Sequence, residues 1–303
     1  MNVLVTGVTG QLGHDCIIEL NRRKHFSIGT ARRVPDEPNE QMFVKLDLSD
    51  EASVRSTVRR LCPDAIIHCA AWTAVDAAED EENREAVFAA NVLATRYLAE
   101  AAKEIDAKML YLSTDYVFDG QGIRPWQPDD KNYAPLNVYG QSKLEGELAV
   151  SSILERFFIV RIAWVFGKNG KNFIKTMLNV GKTHDTVRVV NDQVGTPTYT
   201  YDLARLLVDI IETEKYGYYH ATNEGGYISW YDFTKEIYRQ AGLNTKVIPV
   251  TTEEYGLSKA KRPFNSRLDK SKLVEAGFRP LPDWKNALHR YLIEIGESVD
   301  GTD

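Results

Sequence analysis

The chain opens on a strand that runs straight into spaced glycines, VLVTGVTGQLG at residues 3–13. An apolar run ends at Thr6, then Gly7, Gly10 and Gly13 follow, and a helical pattern begins at residue 10 and continues to 23. Glycine lacks a Cβ, so such a turn lets backbone approach a ligand closely. The helix behind it presents unpaired N–H groups and the positive end of its dipole, which together favour an anion. The spacing is G-x-x-G-x-x-G rather than G-x-G-x-x-G, and glycines at a turn can serve packing alone. A strand before and a helix after favour a dinucleotide cradle, with Gln11 and Leu12 inside it.

Downstream, short apolar runs alternate with helical patterns. Residues 26–31, 42–48, 64–71, 108–114 and 157–166 read as strands, and 84–105 reads as one long helix. Strands separated by helices build a mainly parallel sheet covered on both faces, so the expected class is α/β, a Rossmann-type doubly wound parallel sheet. Nearly continuous apolar strands fit burial on both sides. Beyond residue 166 the alternation loosens. Residues 187–190 and 216–223 read as short strands, and 198–212, 229–242 and 283–296 as helices. The expected division is a dinucleotide-binding domain, 1–166 with 187–215, and a smaller discontinuous substrate lobe, 167–186 with 216–303. The Gly-, Pro- and Asp-rich segment 119–137 is expected to loop over the site.

The balance of 37 basic against 43 acidic residues, net −6, argues against a nucleic acid as partner. No apolar stretch is long enough for a membrane span and no secretory leader is visible, so a cytoplasmic protein is expected. Cys16, Cys62 and Cys69 form no CxxC pair and read as buried thiols in a reducing compartment. No close pair of histidines suggests zinc. No metal is expected.

In a doubly wound fold the second strand ends near the adenosine ribose, where an acidic residue would bind the 2′-hydroxyl. Here Arg32 and Arg33 stand instead. A guanidinium pairs well with a 2′-phosphate, which points to NADPH over NADH; two arginines on a surface loop are the plainer alternative. Asp47 and Leu48 are placed to frame the adenine. Ala70, Ala71 and Thr73 follow the fourth strand, at the sheet edge that faces the ligand crevice.

Two further stretches carry candidate chemistry. STDY places Thr114, Asp115 and Tyr116 just past the fifth strand, and NVYGQSKLEGE at 137–147 puts Tyr139 four residues before Lys143. That spacing brings two side chains onto one helix face. Alone, it fits a helix start with a solvated lysine as well as a proton-transfer pair.

Seven pieces in order, GVTGQLG, AAWTAVD, STDYVFDG, PLNVYGQSKLEGE, VRIAWVFG, DQVGTPT and RPFNSRLD, resemble the extended short-chain dehydrogenase/reductases, in particular the dTDP-4-dehydrorhamnose reductase family. The resemblance implies NADPH-dependent reduction of a nucleotide-sugar C4 ketone. Tyr139 would be the general acid, Lys143 would lower the tyrosine's pKa and hold the nicotinamide ribose, and Thr114 would bind the carbonyl oxygen. It further implies substrate contacts from Asp115, Tyr116 and Trp164, with Gln193 and Asn265 on the nucleotide side and Arg262 at the diphosphate. Trp164 also fits a core position. Some relatives are magnesium-assisted dimers using an acid in the first helix; Asp15 stands nearest here, and the expectation remains a metal-free monomer or weak homodimer. Competing readings are a non-catalytic regulator similar to the methionine adenosyltransferase beta subunit, or a reductase or epimerase of another nucleotide sugar.

Overall fold

The apolar runs of the first half pair into one parallel sheet in the computed structural model, which describes residues 1–33 and 42–298. The first half comprises β1 (Asn2–Thr6), α1 (Gln11–Arg22), β2 (Phe26–Ala31), β3 (Met42–Lys45), α2 (Glu51–Leu61), β4 (Ala65–His68), α3 (Arg84–Phe88), α4 (Ala94–Glu104), β5 (Lys108–Thr114), α5 (Val138–Ile153) and β6 (Phe157–Ile162). There follow β7 (Val165–Phe166), α6 (Phe173–Thr183), β8 (Thr186–Val190), β9 (Val194–Gly195), β10 (Thr198–Tyr199), α7 (Thr200–Ile211), β11 (Gly217–His220), β12 (Asn223–Glu224), β13 (Ile228–Ser229), α8 (Trp230–Gln240), β14 (Lys246–Val250), α9 (Thr252–Tyr255), α10 (Ser271–Glu275), β15 (Leu281–Asp283) and α11 (Trp284–Glu294).

Among the described residues the large sheet has strand order β11-β6-β5-β4-β1-β2-β3, all parallel, with the order reversing between β1 and β4. This is the doubly wound arrangement expected. Every residue of β5 is buried, as a central strand covered on both faces requires. Helices α1 and α7 cover one face through Leu12, Cys16, Leu20, Leu203 and Leu207. Helices α2, α4 and α5 cover the other through Val54, Val58, Leu98 and Val150.

Three expectations need correction. The long helix over 84–105 is interrupted by a π-helical turn at Ala89–Leu93. Residues 187–190, assigned to the nucleotide domain, lie in β8 and pair with β14 in a separate small sheet. Residues 217–220, assigned to the lobe, form β11 and extend the large sheet beside β6. Periodicity identifies a strand but says nothing of its partner, and both runs are equally short. The cysteines also divide: Cys16 is buried, whereas Cys62 is exposed at the left-handed C-cap of α2. A separate aromatic core is built on Phe166, Tyr199, Phe233, Trp284 and Tyr291, joining both parts of the expected division.

A buried ion pair fixes α5 against the sheet edge. Arg161 on β6 donates from Nε and a terminal nitrogen to both oxygens of Glu147, each at 2.8 Å. Both side chains have zero exposure. Removing one partner of such a pair strands a charge in the interior, at about 3–5 kcal/mol. Glu147→Ala should therefore lower unfolding stability by about that amount in urea titrations, and Arg161→Met in the same chain should recover a large part of it.

Candidate active site

The switch between β1 and β4 opens a cleft of about 1710 Å³ along the C-terminal edge of the sheet. Its floor is the turn between β1 and α1. Gly7 has φ +70°, and a Cβ there would lie 2.7 Å from the Ala70 nitrogen. A Cβ on Gly13 would run into the Gly7 carbonyl oxygen. Both positions thus need glycine, for conformation and for close approach. The turn is tied down by the Gly7 N–H donating to the Thr30 carbonyl at 3.0 Å. The N-cap of α1 is Gly10, so no side chain caps the helix, and its leading N–H groups face the cleft.

The remaining expected cofactor contacts, Gln11, Leu12, Arg32, Arg33, Asp47, Leu48, Ala70, Ala71 and Thr73, line the same cleft. Arg32 and Arg33 are exposed at its rim. Asp47 accepts from the Ser49 N–H at 3.0 Å and hydroxyl at 2.7 Å, and these bonds, with the Arg32 charge, hold its carboxyl below the usual range.

Past β5 the chain turns so that Thr114, Asp115 and Tyr116 enter the cleft. The Thr114 hydroxyl donates to Asp115 Oδ1 at 3.0 Å and accepts from the Tyr116 N–H. Helix α5, started by Asn137, whose Oδ1 accepts from the Gly140 N–H at 2.8 Å, brings Tyr139 and Lys143 into the same cleft. The Tyr116 and Tyr139 rings meet edge to face with centroids 5.6 Å apart. Burial pushes the Tyr139 phenol well above its ordinary value, partly offset by the Thr114 hydroxyl beside it.

Lys143 is placed differently from the expectation. Its Nζ donates to the Leu112 carbonyl at 2.6 Å and lies 4.1 Å from the Tyr111 ring centroid. Burial lowers its ammonium to about 7. Helix spacing puts both residues on one face, yet the long lysine chain runs on to the end of β5.

Trp164 stands at the junction of sheet and lobe with φ +51°, a left-handed conformation that a bulky residue rarely adopts. Such backbone costs about 1–3 kcal/mol and persists where surroundings over-determine it. Here Thr198 supplies that: its N–H donates to the Trp164 carbonyl at 3.1 Å and its hydroxyl to the Ala163 carbonyl at 2.6 Å. Trp164 lines the cleft and also packs against the adjoining core.

The last three expected contacts stand outside the cleft lining. Gln193 donates to the Thr252 hydroxyl at 3.0 Å. Asn265, buried, donates to the Gln121 and Arg124 carbonyls. Arg262 is held by both oxygens of Asp76, at 3.0 and 2.6 Å. No residue of the segment 119–137 lines the cleft; Trp126 stacks on Phe118 with centroids 4.4 Å apart, and Pro128 and Tyr133 meet Arg161.

Thr30, Ala89, Ala90, Phe173, Trp230 and Phe233 also line the cleft and were not singled out by the sequence. Thr30 Oγ1, Ser113 Oγ and Asp115 Oδ2 are buried there without a hydrogen-bond partner. Three orphaned polar atoms beside a glycine cradle fit a polar dinucleotide and its substrate. The π-helical turn contributes Ala89 and Ala90, whose small side chains leave room, and the lobe contributes Phe173, Trp230 and Phe233. Among the described residues no three His, Cys, Asp or Glu side chains gather to hold a metal, and no helix is long and apolar enough to cross a membrane.

Comparison with known proteins agrees with this geometry. Residues 1–296 match the model of the RmlD substrate binding domain. The spore coat polysaccharide biosynthesis protein SpsK of Bacillus subtilis is 37% identical over 98% of this chain and 99% of its own. A dTDP-4-dehydrorhamnose reductase of Streptomyces griseus is 40% identical, covering 94% of this chain and 91% of its own. A crystal structure of dTDP-4-dehydrorhamnose reductase from Bacillus anthracis in complex with NADP superposes with TM-score 0.88 at 38% identity, covering 97% of this chain and 99% of that one.

The Asp115 carboxyl yields a pH test. Burial pushes it up to about 6, against about 3.9 in an unfolded chain. Between those values the folded state binds the extra proton, so this group's stabilisation is full below about pH 4 and is lost as pH rises through about 6. Asp115→Asn keeps the shape and removes the titration. Relative to wild type it should be about 3 kcal/mol more stable at about pH 8 and equal at about pH 4, read from urea midpoints across pH.

Proposed function

This chain belongs to the RmlD substrate binding domain family, and from that premise we infer that it is an NADPH-dependent oxidoreductase reducing the C4 ketone of dTDP-4-dehydro-L-rhamnose to dTDP-L-rhamnose. The observation that carries the reading is that the glycine turn, Thr114 and Tyr139 line one cleft.

The bound dinucleotide supplies the hydride. The chain's own residues bind, orient and move the proton. Tyr139 donates its phenolic proton to the carbonyl oxygen as C4 becomes tetrahedral, so ketone becomes alcohol. Burial, which raises its pKa, keeps that proton in place beforehand. Thr114, beside it, orients the same oxygen by a hydrogen bond. Lys143 holds the ribose side of the cofactor, and its amine, titrating near neutrality, is suited to returning a proton toward the tyrosine. Tyr116 and Trp164 enclose the sugar, and Arg32 and Arg33 meet the 2′-phosphate. The regulator reading draws no support from relatives named as reductases, and the full acid-bearing cleft counts against it.

The same reading places the enzyme in the cytoplasm as a monomer or weak homodimer; three free cysteines suit a reducing compartment. Acidic net charge supports a small-molecule substrate without nucleic acid.

The decisive assay mixes the protein with NADPH and enzymatically made dTDP-4-dehydro-L-rhamnose and follows nicotinamide absorbance and sugar product. Tyr139→Phe should bind NADPH as wild type does but lose about 10²–10⁴-fold in kcat; near-wild-type turnover would refute the assigned acid. Arg32→Asp should raise KM for NADPH while sparing NADH, and equal kcat/KM for the two cofactors in the wild type would remove the role given to the arginines.

A further inference from the structure

The indole of Trp164 is held on two sides by residues with no assigned role. Trp230, the first residue of α8, stacks on it with ring centroids 3.7 Å apart and planes 14° from parallel. On another side lies Gly195, in an ordinary backbone conformation; a Cβ there would sit 3.0 and 3.2 Å from two carbons of the Trp164 ring. The same Cβ would sit 3.0 Å from the Ser266 Cβ, so a side chain at 195 would be wedged between Ser266 and the indole, one of which would have to give by a few tenths of an ångström.

Trp230 is itself fixed. Ser229 caps α8 through its hydroxyl, which accepts from the Asp232 N–H at 3.1 Å, while Asp232 accepts from the Ser229 N–H. Phe173 packs against the outer Trp230 ring with centroids 4.4 Å apart. So a left-handed backbone points the Trp164 side chain out of the sheet, and a slot made by the lobe stops it from rotating.

We propose that Trp230, together with Gly195, is a positioning residue that locks Trp164 as a rigid aromatic wall for the apolar face of the deoxysugar. A 6-deoxyhexose presents C–H bonds and a methyl group on one side, and a flat, immobile indole is complementary to that surface. Pre-organising the wall removes the ordering cost at the moment of binding. This inference rests on the reading above that Trp164 contacts the sugar.

The test combines steady-state kinetics with circular dichroism. Stacked indoles couple, so the wild type should show a Trp–Trp exciton couplet that Trp230→Phe and Trp164→Phe both abolish. Trp230→Ala should raise KM for the sugar nucleotide by about three- to tenfold, the scale of an aromatic pair, with kcat and KM for NADPH nearly unchanged. Trp230→Phe should restore most of that KM, and Gly195→Ala should reproduce the defect by displacing the indole. In the Trp164→Ala background, Trp230→Ala should add nothing. An equal additional loss there would mean that Trp230 contacts substrate on its own account, which overturns the positioning role. Wild-type KM in Trp230→Ala, with Trp164→Ala defective, also overturns it while leaving the wider reading intact. A Trp164→Ala enzyme with unchanged sugar-nucleotide KM instead removes the sugar contact from which the inference starts.

Discussion

The position of the acid depends on one buried guanidinium. Arg161 has five N–H donors, and each has a partner: two meet Glu147, and the others meet the Pro128 carbonyl at 3.0 Å, the Tyr133 hydroxyl at 3.0 Å and His220 Nε2 at 3.4 Å. The rings of Phe118, Tyr133 and Tyr218 flank its plane at 4.9 to 5.4 Å. The His220 Nδ1–H donates to the Trp126 carbonyl, so the ring is neutral and its Nε2 is free to accept; burial and the Arg161 charge hold its pKa well below the ordinary value. A charge this deep is tolerated only when its partners are complete. They come from β11, α5 and the 128–133 segment, and with Arg161 on β6 they set where α5, and hence Tyr139, meets the sheet.

A second chain of bonds ties the glycine turn to the same helix, and its proton order can be deduced. The Thr95 hydroxyl donates to the Asn91 carbonyl at 2.8 Å, so it must accept from His68 Nε2 at 3.1 Å. His68 Nδ1 then accepts from the Thr6 hydroxyl at 2.7 Å, and that hydroxyl accepts from the Ala70 N–H. Burial, with the nearby Lys143 charge, lowers His68 to about 3, so it remains neutral and the order is stable. Asn91 continues the chain, gripping the Trp72 backbone and donating to Ser142 on α5 at 2.9 Å. The π-helical turn is the irregularity that carries Asn91 to this position, a known habit of such turns near functional sites.

Much of this was legible from residues alone because its signals are local. Gly7 and Gly13 betray a turn that no other residue can make, and uninterrupted apolar strands betray a sheet covered on both faces. Thr114 and Tyr139 stood out as candidates at a strand end and a helix start, whereas their roles, and Trp164 altogether, came from the family resemblance. What depended on partners far along the chain was not legible. The strand at 187–190 and the strand at 217–220 look alike until their neighbours are known. The lysine head at 143 was expected beside Tyr139, but a four-carbon stem reaches past the adjacent turn to the carbonyl of Leu112. Trp230 carries no motif of its own, and its meaning arises only from the ring stacked against it.

On the substrate side, the polar loop residues carry structural bonds of their own. Gln193, Arg262 and Asn265 have the chemistry to bind a nucleotide diphosphate, and on that ground each was a fair candidate. But the irregular chain between the lobe and the sheet has its own polar groups to satisfy, since a buried N–H or C=O without a partner is costly. Asn265 meets that need: its amide spans the Gln121 and Arg124 carbonyls, and its Oδ1 accepts from Arg267. Asp76 does the same from the opposite side, accepting from the Lys259 and Ala260 N–H groups as well as from both ends of Arg262. These residues therefore clasp the 259–265 segment onto the edge of the nucleotide-binding domain. By fixing that segment they shape the edge of the cleft, inside which the orphaned oxygens of Thr30, Ser113 and Asp115 remain to be satisfied.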